Sequence, residues 1–286
     1  MIRLGNITRY NSILASGRTV FGPSVSMLTR GYAKKPAQTG DITQVPVKNI
    51  GVMADFYIPP KFLSCPVTSW HKLIFRRLGL FVVNTYSIVK FKRETTSGLH
   101  FNEWKDNAID LYVKTNKIFA AACCKKPSER AAYLKSQLED ISGVEVIKSL
   151  VERAGSFPQN SKLKWELDSV VGNPKVVSFN ALPDANNNTA YVQFVMKVTT
   201  KQNVTVTLTQ NTQESEKAVT DYLVYSFDPW TKQMYLVGTL FESDHIRKVT
   251  PDDNFTNPKY MLAFSKSCGD IYRSNPKVKK IDAKKD

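Results

Sequence analysis

Apolar residues along this chain first recur at helical spacing and only later alternate. Between Val67 and about Lys92, Ile74, Phe75, Leu78, Phe81, Val82 and Val89 share one helical arc, while Lys72, Arg76, Asn84, Ser87 and Lys90 fall opposite. The pattern predicts a long amphipathic helix with a basic polar face. Trp104, Ala108, Leu111, Tyr112 and Phe119 mark a second helix. A shorter one follows Pro127, with Ser128 as the expected cap, and Val144, Ile147, Leu150, Val151 and Ala154 mark a fourth. After Pro158 the period drops to two. Leu163, Trp165 and Leu167 alternate with charged residues, and Val192, Phe194, Met196 and Val198 alternate next. Val204, Val206 and Leu208 then alternate with threonines. These are expected to be half-buried strands with one solvated face. Lys201-Gln202-Asn203 is expected to turn one hairpin, and Asp228-Pro229-Trp230-Thr231-Lys232 another. Helices first and antiparallel strands second indicate an α+β fold, with N-terminal helices packed on a curved antiparallel sheet.

Charge sharpens this picture. The formal net charge is +15, and residues 1–93 hold fourteen Lys and Arg against only Asp41 and Asp55. A cationic front end attracts polyanions, either nucleic acid or anionic lipid. On the first predicted helix the contact candidates are Lys72, Arg76, Arg77, Lys90, Lys92 and Arg93. The competing reading is a solvated face of a helix whose apolar side fills the core. A second cluster, Lys277, Lys279, Lys280, Lys284 and Lys285, forms a basic tail over 276–286. The apolar run Leu78–Val83 falls far short of the roughly 20 residues needed to span a bilayer.

From Met1 to Gly40 the chain has no acidic residue, and Arg3, Arg9, Arg18 and Arg30 sit in a hydroxyl-rich stretch. This is the composition of a mitochondrial transit peptide. Arg30-Gly31-Tyr32-Ala33 fits a matrix processing pattern, which places the expected transit segment at 1–32, with Arg30, Tyr32 and Ala33 at the cut. Residues 33–49 read as a linker and 50–275 as the folded body. A matrix address fits Cys65, Cys123, Cys124 and Cys268 as reduced thiols, without a Cys-x-x-Cys pair.

The sequence carries no motif for chemistry. There is no glycine-rich phosphate loop and no Gly-x-Ser-x-Gly elbow, and three scattered histidines build no zinc spacing. No catalytic residue, metal or cofactor is expected. Were the chain an enzyme, Asp221, Tyr222 and His100 would be the first residues to inspect.

Several ordered blocks resemble a known family. They are Ile50-Gly51-Val52-Met53-Ala54-Asp55-Phe56-Tyr57-Ile58-Pro59, Arg76-Arg77-Leu78, Trp104 to Asp110, Asp221-Tyr222, Gly238 to Ser243, and Gly269 to Arg273. Together they resemble the Mba-type membrane-associated ribosome receptors of yeast mitochondria. The resemblance implies a peripheral protein on the matrix side of the inner membrane. Its implied partners are the large mitoribosomal subunit near the tunnel exit (rRNA and proteins), inner-membrane lipid, an Oxa-type insertase and nascent respiratory-chain subunits. It also implies kinship with an animal large-subunit ribosomal protein and with the import-motor anchor, and hence a cone of the nuclear-transport-factor or cystatin-like kind. The alternative is a constitutive structural protein of the large mitoribosomal subunit.

Overall fold

The structure is a computed structural model that describes residues 42–53, 57–65, 67–95, 98–159, 161–208, 212–243 and 258–275. The transit segment, the processing residues Arg30, Tyr32 and Ala33, and the tail lysines lie outside the described residues.

Two 3-10 turns, Ile42–Gln44 and Val47–Asn49, precede a chain of four helices: α1 (Trp70–Thr95), α2 (Phe101–Cys123), α3 (Pro127–Leu138) and α4 (Val144–Ser156). Five antiparallel strands follow: β1 (Lys162–Val170), β2 (Lys175–Pro183), β3 (Thr189–Thr207), β4 (Thr212–Phe227) and β5 (Met234–Leu240). A last helix, α5 (Pro258–Gly269), comes after them. The α+β class is therefore as the periodicities indicate. At α3 the start lies two residues before the expected cap Ser128: Pro127 occupies the first turn behind an N-cap at Lys126 that makes no side-chain cap bond. Proline is suited to that first turn because its missing N–H would have no helical partner there.

The sheet is organised by two long strands. β3 pairs with β4 over Val192–Thr207 in unbroken register, opposite Phe227–Thr212. On its other side β3 pairs with β2 along Thr189–Lys197 and with β1 along Thr200–Thr207. β1 and β2 thus lie end to end along one strand, and β5 closes the far edge beside β4.

Lys201-Gln202-Asn203 is not a turn. These residues continue β3 and pair with both β1 and β4. Gln202 is buried and explains why three polar residues sit there. Its Oε1 accepts from Trp165 Nε1 at 3.0 Å, while its Nε2 donates to Tyr112 OH at 2.9 Å and Thr200 Oγ1 at 2.7 Å. Tyr112 OH donates onward to Asp221 Oδ2 at 2.9 Å. A buried amide with every polar atom engaged is compatible with a strand interior. The second expected turn is present. Asp228 Oδ1 accepts from the backbone N–H groups of Trp230 at 2.8 Å and Thr231 at 3.3 Å, turning β4 into β5.

Nor do the central strands have one wet face. Val192, Phe194 and Met196 enter a cluster with Phe91, Trp104, Tyr112, Phe179 and Tyr225 under α1 and α2. Val195, on the opposite face, packs with Val47, Val52, Ile58, Val224, Val237 and Cys268, beneath α5 and residues 47–53. Val47, in the stretch read as a linker, is buried there, and Lys48 Nζ donates to Glu139 at 2.8 Å. Gly238 permits the close approach of α5: a Cβ on it would stand 2.5 Å from the Cys268 carbonyl oxygen.

A third cluster joins α2, α3 and α4 through Phe119, Cys123, Leu134, Leu138, Val146 and Leu150. At its rim Arg130 is 2% exposed. All five N–H groups of its guanidinium point at main-chain carbonyls. Nε donates to Lys125 O at 3.0 Å, Nη1 to Ala154 O at 2.8 Å and Phe157 O at 2.6 Å, and Nη2 to Cys123 O at 3.2 Å and Pro158 O at 3.3 Å. These are the C-terminal ends of α2 and α4, where orphan carbonyls and the helix dipole both favour a cation. The vicinal thiols divide: burial pushes the Cys123 thiol up to about 11, whereas Cys124 is exposed.

Candidate functional site: the outward face of the first helix

α1 meets the body through an arc that mixes polar and apolar residues, not through the apolar arc read from the sequence. Buried on it are Leu73, Ser87, Phe91 and Thr95. Asn84 reaches the edge strand β2 and acts as a short neighbouring strand would. Its Nδ2 donates to Val177 O at 3.0 Å, and its Oδ1 accepts from Phe179 N at 3.0 Å. The site is a bulge in β2, between Val176 and Ser178, where the β3 register slips. Near the end of α1, Glu94 Oε2 accepts from both the backbone N–H and the hydroxyl of Thr189, each at 2.6 Å.

The apolar arc therefore faces outward. Phe75 is 71% exposed, Phe81 66% and Val82 57%, and Ile74, Leu78 and Val89 are exposed as well. Val83 and Tyr86 join them. The competing reading of this helix, an apolar side filling the core behind a basic solvated side, is overturned. The physical reason is that the inward arc supplies both core residues, Leu73 and Phe91, and the side chains of Asn84 and Glu94, which bond backbone groups of β2 and of the start of β3.

The six helix cations do not form one patch. Arg77 Nη2 donates to Pro60 O at 2.7 Å, with its guanidinium over the Phe62 ring at 4.4 Å. Arg76 lies over the Tyr57 ring at 5.4 Å. These two arginines pin the 57–62 segment against α1. Lys90 Nζ donates to Asn187 Oδ1 at 3.1 Å in the β2–β3 connection. Lys72, Lys92 and Arg93 are exposed, the first before the apolar crest and the others after it. No Asp or Glu occurs between Tyr57 and Arg93. Among the described residues, no helix is long and apolar enough to cross a membrane.

The residues singled out for chemistry do not converge. Asp221 and Tyr222 are successive strand residues and point to opposite faces of the sheet. Asp221 accepts from Tyr112, and its carboxyl is pushed above the usual range by burial, partly offset by that bond. Tyr222 OH donates to Glu242 at 2.7 Å. His100 is exposed at the start of α2, with Glu103 4.0 Å away. An open groove of about 880 Å³ beside α2 and β1 is lined by Asp110, Lys117, Lys164, Glu166, Asp168 and Glu216 among others, and none of the three nominated residues borders it.

Of the blocks that carry the family resemblance, those at 50–53, 57–59, 238–243 and 269–273 meet beneath α5, while Trp104 to Asp110 packs on the opposite face of the sheet. Met53 N donates to Gln193 Oε1 at 3.0 Å, and Gln193 Nε2 donates to Gly51 O at 3.1 Å. Ser243 N donates to Ile58 O at 2.8 Å, and Arg273 Nη2 donates to Thr239 O at 2.6 Å. A family model described as MBA1-like protein matches residues 36–277. The chain belongs to the MBA1-like family. The inner membrane mitoribosome receptor MBA1, mitochondrial, of Saccharomyces cerevisiae is 30% identical over 243 residues, covering 80% of this chain and 81% of that protein. In this MBA1-like chain the motif blocks are thus packing elements: a strap across the sheet, a strand without side-chain bulk at Gly238, and the end of α5. The outward crest of α1 belongs to none of that packing.

Proposed function

We propose that this chain is a peripheral receptor that holds mitochondrial ribosomes against the matrix side of the inner membrane, with no turnover of its own. The observation that carries this reading is family membership over nearly the whole folded body, with a relative named as an inner membrane mitoribosome receptor. A protein body built almost entirely of packing contacts, whose candidate chemical residues do not meet, suits an adaptor better than an enzyme. Tethering the large subunit near its tunnel exit, beside an Oxa-type insertase, raises the local concentration of nascent respiratory-chain subunits at the bilayer. Lys72, Lys92 and Arg93, together with the tail lysines, are the proposed contacts to rRNA phosphate and anionic headgroups. The acid-free leader is the proposed matrix address, cut beside Tyr32 and Ala33.

The test is depletion of the chain followed by fractionation of inner-membrane vesicles. The expected result is that large subunits leave the membrane fraction, while ribosomes purified in high salt remain intact without the chain. A chain that stays stoichiometric on salt-washed large subunits would instead be a structural ribosomal protein.

A further inference from the structure

Among the described residues, the outward face of α1 carries a contiguous run of exposed apolar side chains. The crest Phe75, Leu78, Val82, Tyr86 and Val89 runs along α1 for about 21 Å. It is flanked by Ile74 and Phe81 on one side and Val83 on the other. Soluble surfaces carry isolated apolar residues without consequence, but a contiguous ridge of this kind marks a contact. The inner side of α1 is clasped to β2 and β3 by Asn84 and Glu94, so the helix does not roll to hide the ridge. We infer that the outward face of α1 seats in the interfacial zone of an anionic bilayer, its axis in the membrane plane.

This inference rests on the receptor reading above and gives it an element and a mode. Three observations select the occupant. The ridge is apolar, which is wrong for a phosphate backbone: RNA contacts are dominated by cations and hydrogen-bond donors. Exposed cations bracket the ridge at Lys72 on one end and at Lys92 and Arg93 on the other, so headgroup contacts fall where an in-plane helix meets them. No carboxylate in 57–93 opposes a negative surface, and the carboxylate that follows, Glu94, is turned inward onto Thr189. Half the circumference of α1 is committed to the body, so insertion is shallow, to about one helix radius. Attachment then has two parts. Salt weakens the headgroup contacts, while the apolar seat persists.

The test uses the processed chain and vesicles of phosphatidylcholine with or without cardiolipin. Flotation is expected with the cardiolipin vesicles, in part surviving high salt, and weakly with phosphatidylcholine alone. The triple variant Phe75→Ser, Leu78→Ser and Val82→Ser alters only exposed positions. It is expected to keep the thermal transition and to sediment with large mitoribosomal subunits as the parent does. Its vesicle affinity should fall by more than roughly tenfold. If it fails to fold, the pair Lys72→Glu and Arg93→Glu, read on cardiolipin vesicles, should show the same direction of loss. Undiminished flotation of the triple variant overturns the inference. So does loss of ribosome sedimentation with flotation intact, which would make the ridge a protein contact on the ribosome and leave the receptor reading standing. A parent chain that sediments with no ribosome at all refutes the receptor reading itself, a result read independently of flotation.

Discussion

Arg130 offers the sharpest internal test of how this helical layer is held together. Replacing it by Met keeps the aliphatic stem and removes all five donors. Two of the acceptors, Ala154 O and Cys123 O, are in fully buried bonds, and three are partly accessible. A buried acceptor left without a partner costs about 1–3 kcal/mol. The three partly accessible carbonyls regain water and contribute little. The lost attraction of a cation for two helix C-termini adds up to about 2 kcal/mol, while removing a desolvated charge returns part of the total. The net expectation is a loss of about 3 kcal/mol, a large share of the roughly 5–15 kcal/mol that stabilises a domain. Arg130→Lys should recover little of it, because a compact ammonium lacks the fork that reaches two helix ends at once. Urea unfolding followed by helical dichroism and tryptophan fluorescence measures both variants. A loss below about 1 kcal/mol for Met, or a Lys variant equal to the parent, would refute the reasoning.

Two further outcomes follow from the polar contacts. Asn84→Leu removes both bonds to the β2 bulge and should cost about 1–3 kcal/mol, with faster amide exchange at Phe179 as the local signature. Asp221 has a folded pKa raised by burial, so the native state binds the proton more tightly than the unfolded chain, whose carboxyl titrates near about 3.9. Its contribution is fully present below that value and is lost as pH rises through the raised one. The stability of Asp221→Asn relative to the parent should therefore climb over that window in urea midpoints, and a difference that stays constant with pH would count against burial as the cause.

Much of this architecture is legible in the sequence because it is periodic. The spacing of Trp104, Ala108, Tyr112 and Phe119 locates α2, and the alternation about Trp165 locates β1. What periodicity lacks is a sign. The arc containing Phe75 and Val82 is the apolar side of α1, yet nothing in the spacing states which arc meets the protein; Asn84 and Glu94 decide that, through partners almost a hundred residues away. Gln202 fails in the opposite direction. A polar trio between two alternating runs has the composition of a turn, and only its buried partners show it to be strand. α5 leaves little periodic signal because its buried positions are few, its approach to the body being licensed instead by a glycine in β5. Of the candidate cations, Arg76 and Arg77 were visible as charge but not as the pins of the 57–62 segment, since aromatic and carbonyl partners leave no mark in a charge count.

The unbroken register of β3 against β4, from Val192↔Phe227 to Thr207↔Thr212, has a mechanical meaning. It makes a girder roughly 50 Å long without a joint. Force directed along it is shared by many ladder bonds loaded together, whereas peeling from one end would open them singly. Tension along β3 thus reaches its Thr189 end, where Glu94 holds α1, with little slack.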